Sequence, residues 1–262
     1  MSSNFPTDEH NPYSSPSEGY QPPGEPVGTG TPRRDSIDYF YAYNFVFESQ
    51  NWVTTLLLST LTMIIPLVGG IVLIGYHYEV IAVLAMGRGR PYPDYDFGRF
   101  GEYLTRGVWV FLVSLCAGLL VQVIIAPLVI CGWLMIGIAV SIDPVLGIIG
   151  MFFFILLMIA CSIIPSFIMT PLTLRAGLTK NFGEAFDFAF VKDFVSKMWV
   201  EQILVALFMS ISSLFVVLAG GIMFCVGMYP ALVLVMMAYT HIQFQLYQVY
   251  LSRGGVPIRI AQ

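Results

Sequence analysis

Four long blocks of apolar residues, 52–87, 105–141, 146–174 and 197–250, divide the chain, and polar residues collect between them. Inside the blocks there is neither the alternation of a half-buried strand nor the polar face of a surface helix. Between Arg106 and Arg175 the only formal charge is Asp143, and between Glu201 and Arg253 there is none. Runs of this kind read as membrane helices, because about 20 helical residues cross a hydrocarbon core of ~30 Å. A soluble helical core would need polar outer faces here, and a membrane barrel would need alternating strands. The pattern therefore predicts an all-α fold, a polytopic transmembrane helix bundle.

Block length sets the number of spans. A helix over 52–87 would measure roughly 54 Å, far more than one crossing needs. The second block is expected to turn at Ala126-Pro127, giving 105–126 and 128–142, and the fourth at Gly220-Gly221, giving 197–219 and 222–250. The first and third blocks each contain Ile-Ile-Pro, at 64–66 and 163–165, and each fits one kinked span or a short hairpin. Single spans give six crossings and hairpins give eight. All twelve Lys and Arg lie in four segments: Arg33 and Arg34; Arg88, Arg90, Arg99 and Arg106; Arg175, Lys180, Lys192 and Lys197; Arg253 and Arg259. Eight spans would put them all on the cytoplasmic side and six would split them eight to four. Both arrangements satisfy the positive-inside rule with both termini inside. Eight spans would also place Glu79 in the middle of a helix over 71–87, at a cost of about 3 kcal/mol. Six spans leave Tyr76-His77-Tyr78-Glu79 at the interface, so six is the expectation and eight the alternative.

The flanks differ from the blocks. Residues 1–36 are rich in Ser, Pro, Gly, Asn and Glu, with almost no aliphatic side chains, and are expected to be disordered. They lack the basic start and apolar region of a signal peptide. Residues 37–51 alternate Tyr39, Tyr41, Tyr43, Phe45 and Phe47 with other residues, and aromatic rings favour the headgroup level. They are read as an interfacial segment leading to a transmembrane domain over 52–252, with 253–262 a short C-terminal tail.

There is an internal echo. In the first half Asp96-Phe97 is followed by Trp109-Val110, with Phe97 standing 12 residues before Trp109. In the second half Asp187-Phe188 is followed by Trp199-Val200, with Phe188 standing 11 residues before Trp199. Each Asp-Phe pair follows an Ile-Ile-Pro block and precedes a span with a basic residue at its start. The chain thus reads as two three-span repeats, 52–142 and 146–250, which would be related by inversion because three is odd. The second elbow, TKNFGEAFDFAFVKDF (179–194), repeats Phe every four residues, as one apolar stripe of a helix lying in the interface.

Composition narrows the chemistry. Charged residues make up 11% of the chain, against about 25% in ordinary domains. The net charge is −4, and four of the sixteen acids fall in the first 30 residues, so the membrane part is near neutral. No basic patch suggests nucleic acid. The four cysteines lie in apolar runs without metal-ligand spacing, and neither a metal nor a cofactor is expected. The first elbow, GRGRPYPDYDFGRF (87–100), contains no Ser, Cys or His, and its nearest His is His77. It reads as an elbow rather than a catalytic loop. Arg88, Arg90, Arg99 and Arg106, with Lys192 and Lys197, are candidate contacts to anionic lipid headgroups.

Four polar residues inside the blocks form the other candidate set. His241, Gln245 and Gln248 share one face of the last helix, and with Glu79 they could line a polar cavity. Hydrogen bonding between helices is the competing role for that stripe, and it weighs more. Asp143, in Asp-Pro, reads as a turn acid, and Glu201 as an i,i+4 partner of Lys197.

From Asn51-Trp52 through Ile-Ile-Pro and Gly75-Tyr76 to PYPDYDFGRFGEYLTRG, the chain resembles a family of prokaryotic membrane proteins, domain of unknown function number 4013. The likeness covers roughly residues 40–125, and the second half follows in pattern. Tyr95 stands where that family would have a tryptophan or an acid. The resemblance implies an inner-membrane protein of a prokaryote and supplies no activity. With no convergent nucleophile, base or metal set, the expectation is a non-catalytic scaffold or membrane-organising protein. It would act through the lipid bilayer, anionic headgroups or other membrane proteins. The alternative is a small-solute transporter or permease with a midplane site between inverted repeats.

Overall fold

The computed structural model describes residues 34–87, 92–222 and 227–261, so almost all of the leader expected to be disordered lies outside the described residues. Those residues form helices α1 (Tyr41–Asn44), α2 (Trp52–Met63), α3 (Val68–Ala85), α4 (Phe100–Ile142), α5 (Pro144–Thr179), α6 (Phe182–Ala185), α7 (Phe188–Ile222) and α8 (Met228–Ser252), with 3-10 turns at Phe45–Glu48 and Phe97–Arg99. There is no strand among them. Three helical stretches are long and apolar enough to cross a membrane, Val68–Ala85, Phe97–Ile142 and Phe188–Ile222.

The long helices pair as antiparallel hairpins. In α4 and α5, Trp133 packs on Phe154, Gly118 faces Met169 and Gly147 faces Val140. Asp143 joins the two helices, and its carboxylate accepts the Val145 N–H at 2.6 Å as the cap of α5. The turn acid expected from Asp-Pro is therefore an N-cap. In α7 and α8, Gly220 lies against Ala231 at one end, while Glu201 pairs with Arg253 at the other.

The expected breaks are met unevenly. Helix α4 runs through Ala126-Pro127, where a turn is expected. A proline removes one backbone hydrogen bond, and a neighbouring helix packed along the same stretch makes that loss tolerable in an apolar setting. Helix α5 likewise contains Pro165 and Pro171. The first Ile-Ile-Pro does break the chain, so the first block is a hairpin of α2 and α3 instead of one kinked span. Four N–H groups bond within its turn: those of Ile64, Ile65, Val68 and Gly69 bond to the carbonyls of Leu61, Thr62, Pro66 and Ile65.

The second elbow also differs from expectation. The phenylalanine stripe is split between α6 and α7, and it turns inward: Phe190 and Phe194 are buried against the ring of Tyr250. Each elbow ends in an aspartate cap. Asp96 accepts the Gly98 N–H at 2.8 Å before α4, and Asp187 accepts the N–H groups of Ala189 and Phe190 at 3.0 and 3.1 Å as α7 begins.

The core gathers at the elbow end, where α3 and most of α8 are buried. Residues 38–48 pack there too, with Ala42, Phe45 and Val46 buried. The outer parts of α4, α5 and α7 leave Leu, Ile, Val, Phe and Met side chains exposed from Leu115 to Met158 and from Leu204 to Ile222. Such surfaces suit lipid.

Candidate functional site

Two glycines set the geometry at the elbow end. A Cβ on Gly75 would lie 1.8 Å from the Tyr103 carbonyl oxygen, and one on Gly107 would lie 1.9 Å from that of Ile71. Only glycine permits α3 and α4 to approach so closely. The resulting register brings Arg99 Nη1 to 2.6 Å from Glu79 Oε1. Glu79 is 8% exposed, so this cation stands in for the water it has lost. The same guanidinium donates to Glu102 Oε2 through Nε at 2.9 Å and Nη2 at 2.7 Å, bridging two carboxylates.

Arg106, further along α4, is 7% exposed and placed differently. Its Nη1 reaches only the carbonyl oxygens of Tyr78 at 3.4 Å and Gly177 at 3.5 Å, which are long contacts. Among the described residues no carboxylate pairs with it. Lys180 follows α5 in the left-handed region, with φ of 51°. Burial, and then the nearby Arg106, hold its ammonium below the ordinary lysine pKa. Glu79, Arg99, Glu102, Thr105, Arg106 and Lys180 line a cleft of about 480 Å³. Ala261 borders it, its N–H bonded to the Leu178 carbonyl at 2.8 Å.

A second cavity, of about 260 Å³, lies next along the same helices. His77, Ser114, Thr170, Thr173, Tyr239 and Gln243 contribute its polar lining. His77 is 6% exposed, and its Nε2 has no hydrogen-bond partner among the described residues. The Arg106–Tyr78 contact falls between the two spaces.

The residues expected to share one cavity are separated. Glu79 belongs to the cleft, whereas His241, Gln245 and Gln248 line neither space. Gln245 is fully buried; its Oε1 accepts the Asp38 N–H at 2.7 Å, and its Nε2 donates to the Asp38 carbonyl at 3.0 Å. The same Nε2 lies 3.0 Å from His241 Nδ1, and the His241 ring stacks on Phe45 at 4.1 Å. Gln248 is buried along the same helix. The His241–Gln245 pair thus fastens the segment before α2 onto α8.

The expected headgroup cations divide as well. Arg99 and Arg106 are in the cleft, Lys192 is exposed on α7, and Arg88 and Arg90 lie outside the described residues. Lys197 does not pair with Glu201: its Nζ bonds Asp193 and the Gly254 carbonyl, and Glu201 takes Arg253. Glu102, Thr105 and Lys180 join the cleft without any signal in the sequence. Nothing in the spacing connects residues 99–106 to Lys180; only the packing of α4 against α5 and α6 does. No group of three or more His, Cys, Asp or Glu able to hold a metal occurs among the described residues.

No curated protein and no solved structure matches the chain. A family model described as "Protein of unknown function (DUF4013)" matches residues 58–226, which takes in α3, both elbows, the cleft-lining part of α4 and all of α7. The likeness carried by the Gly75-Tyr76 and PYPDYDFGRFGEYLTRG stretches therefore extends through the second elbow. The chain belongs to the family of proteins of unknown function DUF4013.

Proposed function

We propose that this protein is a non-catalytic, membrane-organising protein of a prokaryotic inner membrane, acting through a charged face at its elbow end. One observation carries the reading: Met86, Arg99 and Glu102, flanking the first elbow, share a cleft with Lys180 of the second. Both elbows are therefore at one end of the bundle. The C-terminal segment joins them, because Lys197 bonds the Gly254 carbonyl and Ala261 bonds Leu178. The chain also enters α2 there, where Asn51 bonds Asp94 at 2.6 Å. By the positive-inside rule this end faces the cytoplasm, with both termini.

On this reading six membrane helices insert as three hairpins. Helix α2 has 12 residues, or roughly 18 Å, too short to cross a core of ~30 Å. The α2–α3 hairpin then ends inside the apolar layer, where Ile64, Ile65 and Leu67 are exposed and four of the turn's N–H groups bond within it. The matching aspartate caps support a duplicated helix–elbow–helix unit. A unit with two helices returns the chain to its starting side, so its copies run parallel. That argues against inverted repeats.

A permease is the second reading, favoured by the polar lining of the His77 cavity. Reconstitution in liposomes with and without anionic lipid separates the two. A scaffold should show energy transfer from its tryptophans to labelled anionic lipid above that to labelled neutral lipid, and no solute efflux beyond that of empty vesicles. Saturable, solute-selective efflux would overturn this role in favour of transport.

A further inference from the structure

The cavity next to the cleft has apolar walls and a polar floor, and one group of that floor is unmatched among the described residues. His77 lines it and is 6% exposed, and its Nε2 has no hydrogen-bond partner there. A buried polar atom left in that state is costly, so a ligand that pairs with it gains what the fold forgoes. Thr173 of α5 and Thr240 of α8 border the same space. Each commits its hydroxyl proton to its own helix, Thr173 to the Met169 carbonyl and Thr240 to the Met236 carbonyl, both at 2.8 Å. Their oxygens are left as acceptors. The described lining contains no Asp, Glu, Lys or Arg, so an ionised ligand would meet no counter-charge. Ile74, Val110, Met169 and Met236 form the apolar wall, and the two methionines adapt readily to a ligand's shape.

The cavity opens toward lipid. Its floor, with His77, Thr170, Thr240 and Gln243, is buried, whereas Ile74, Ser114, Met169 and Met236 are half-buried. Beside two of these, Leu115 and Ile168 are exposed on the apolar surface. The membrane-organising reading puts the elbow end at the membrane surface. His77 then lies eight residues before the end of α3, roughly 12 Å deep, and Ser114 fourteen residues into α4, roughly 21 Å deep. That depth is beneath the headgroups, in the hydrocarbon core.

We infer that this cavity binds the hydroxyl end of an uncharged, lipid-soluble molecule, with His77 Nε2 as its principal partner, an inference that rests on the membrane-organising reading for the depth of the site. A hydroxyl both donates and accepts, so it pairs with Nε2 in either tautomer of the ring. Where Nε2 carries the proton, the hydroxyl accepts it and donates onward to Thr173 or Thr240, which an ether or carbonyl cannot do. The volume, about 260 Å³, is below the roughly 300–1,000 Å³ of sites that enclose drug-sized ligands. The cavity therefore receives the head and the start of a chain, and the remainder stays in lipid.

The test uses the full chain with isotope-labelled histidine rings, purified in a zwitterionic detergent that carries no hydroxyl. Decanol presents an aliphatic hydroxyl and para-hexylphenol a phenolic one; decyl methyl ether and decane are the controls. A hydroxyl ligand should give a saturable rise in Tm and move the His77 Nε2 resonance, which is assigned by its loss in His77→Leu. The His77→Leu variant should weaken the apparent affinity roughly tenfold or more. Thr240→Val should weaken it by a smaller factor, and keeps the test available if His77→Leu does not fold. Thr54→Val removes an exposed hydroxyl on α2 and should change nothing. Binding of decanol alone would assign the site to aliphatic alcohols, and binding of the phenol alone to phenolic or quinol rings; either supports the inference, as does binding of both. An equal response to decyl methyl ether, a non-saturable response, an unmoved His77 resonance, or a loss in Thr54→Val as large as in Thr240→Val would overturn it. None of these outcomes depends on energy transfer to labelled lipid or on solute efflux, so the cavity can fail while the membrane-organising reading stands.

Discussion

Among the individual residues, the charges of the cleft divide: Arg99 bridges Glu79 and Glu102, whereas Arg106 meets only the carbonyl oxygens of Tyr78 and Gly177 among the described residues. Removing Arg99 should expose that division. Arg99→Gln leaves Glu79, 8% exposed, without its cation. The expected destabilisation is about 1–3 kcal/mol, below that of a fully buried pair because the Arg99 side chain is 39% exposed and partly screened. Adding Glu79→Gln to the same chain should restore most of the loss, as read from denaturation midpoints in detergent across the four members of the cycle. A double variant no more stable than Arg99→Gln would mean that the pair is incidental. Glu79 and Arg106 are both legible in the sequence as charges within or beside apolar runs. Their surroundings are not, because Lys180 is 74 positions beyond Arg106 and only the fold joins them. The same limit applies to His241 and Gln245: their shared face is readable from the spacing, but its occupant, Asp38, lies 207 residues from Gln245.

Among the helices, hydropathy locates the apolar blocks but misplaces their breaks. Proline and Ile-Ile-Pro are local signals, and context decides what they do. Pro127 lies in a stretch packed along α5 and stays helical, whereas Pro66 follows the end of α2 and begins a closed turn. The second elbow is legible as an amphipathic stripe; that the stripe faces Tyr250 instead of lipid depends on where α8 ends. The crossing of α3 and α4 is the contact on which the cleft depends. Gly75→Ala would drive a methyl group into the Tyr103 carbonyl, so the helices must separate. Overpacking of this kind costs about 1–3 kcal/mol. A lower Tm is expected, and the Arg99–Glu79 contact should weaken with it. The double variant Gly75→Ala/Arg99→Gln should therefore lose less than the sum of the single losses. Strict additivity would show that the crossing does not set the ion pair.

For the molecule as a whole, the proposed arrangement of three hairpins entering from one side would reconcile two demands that conflict in the sequence. Eight spans account for all cations on one side, and six spare Glu79 from the apolar layer. With α2–α3 as a hairpin, α4 unbroken and Arg99 beside Glu79, the proposed arrangement would meet both. The sidedness of the two elbows tests this arrangement most directly. On a background without cysteine, Gly89→Cys in the first elbow, Gly183→Cys in the second and Ser141→Cys at the α4–α5 tip are each treated with a membrane-impermeant maleimide. The two elbow cysteines should react only after permeabilisation, and the tip cysteine should react in intact cells. Labelling of Gly89→Cys in intact cells, with Gly183→Cys still protected, would contradict the three-hairpin arrangement by placing the elbows on opposite faces.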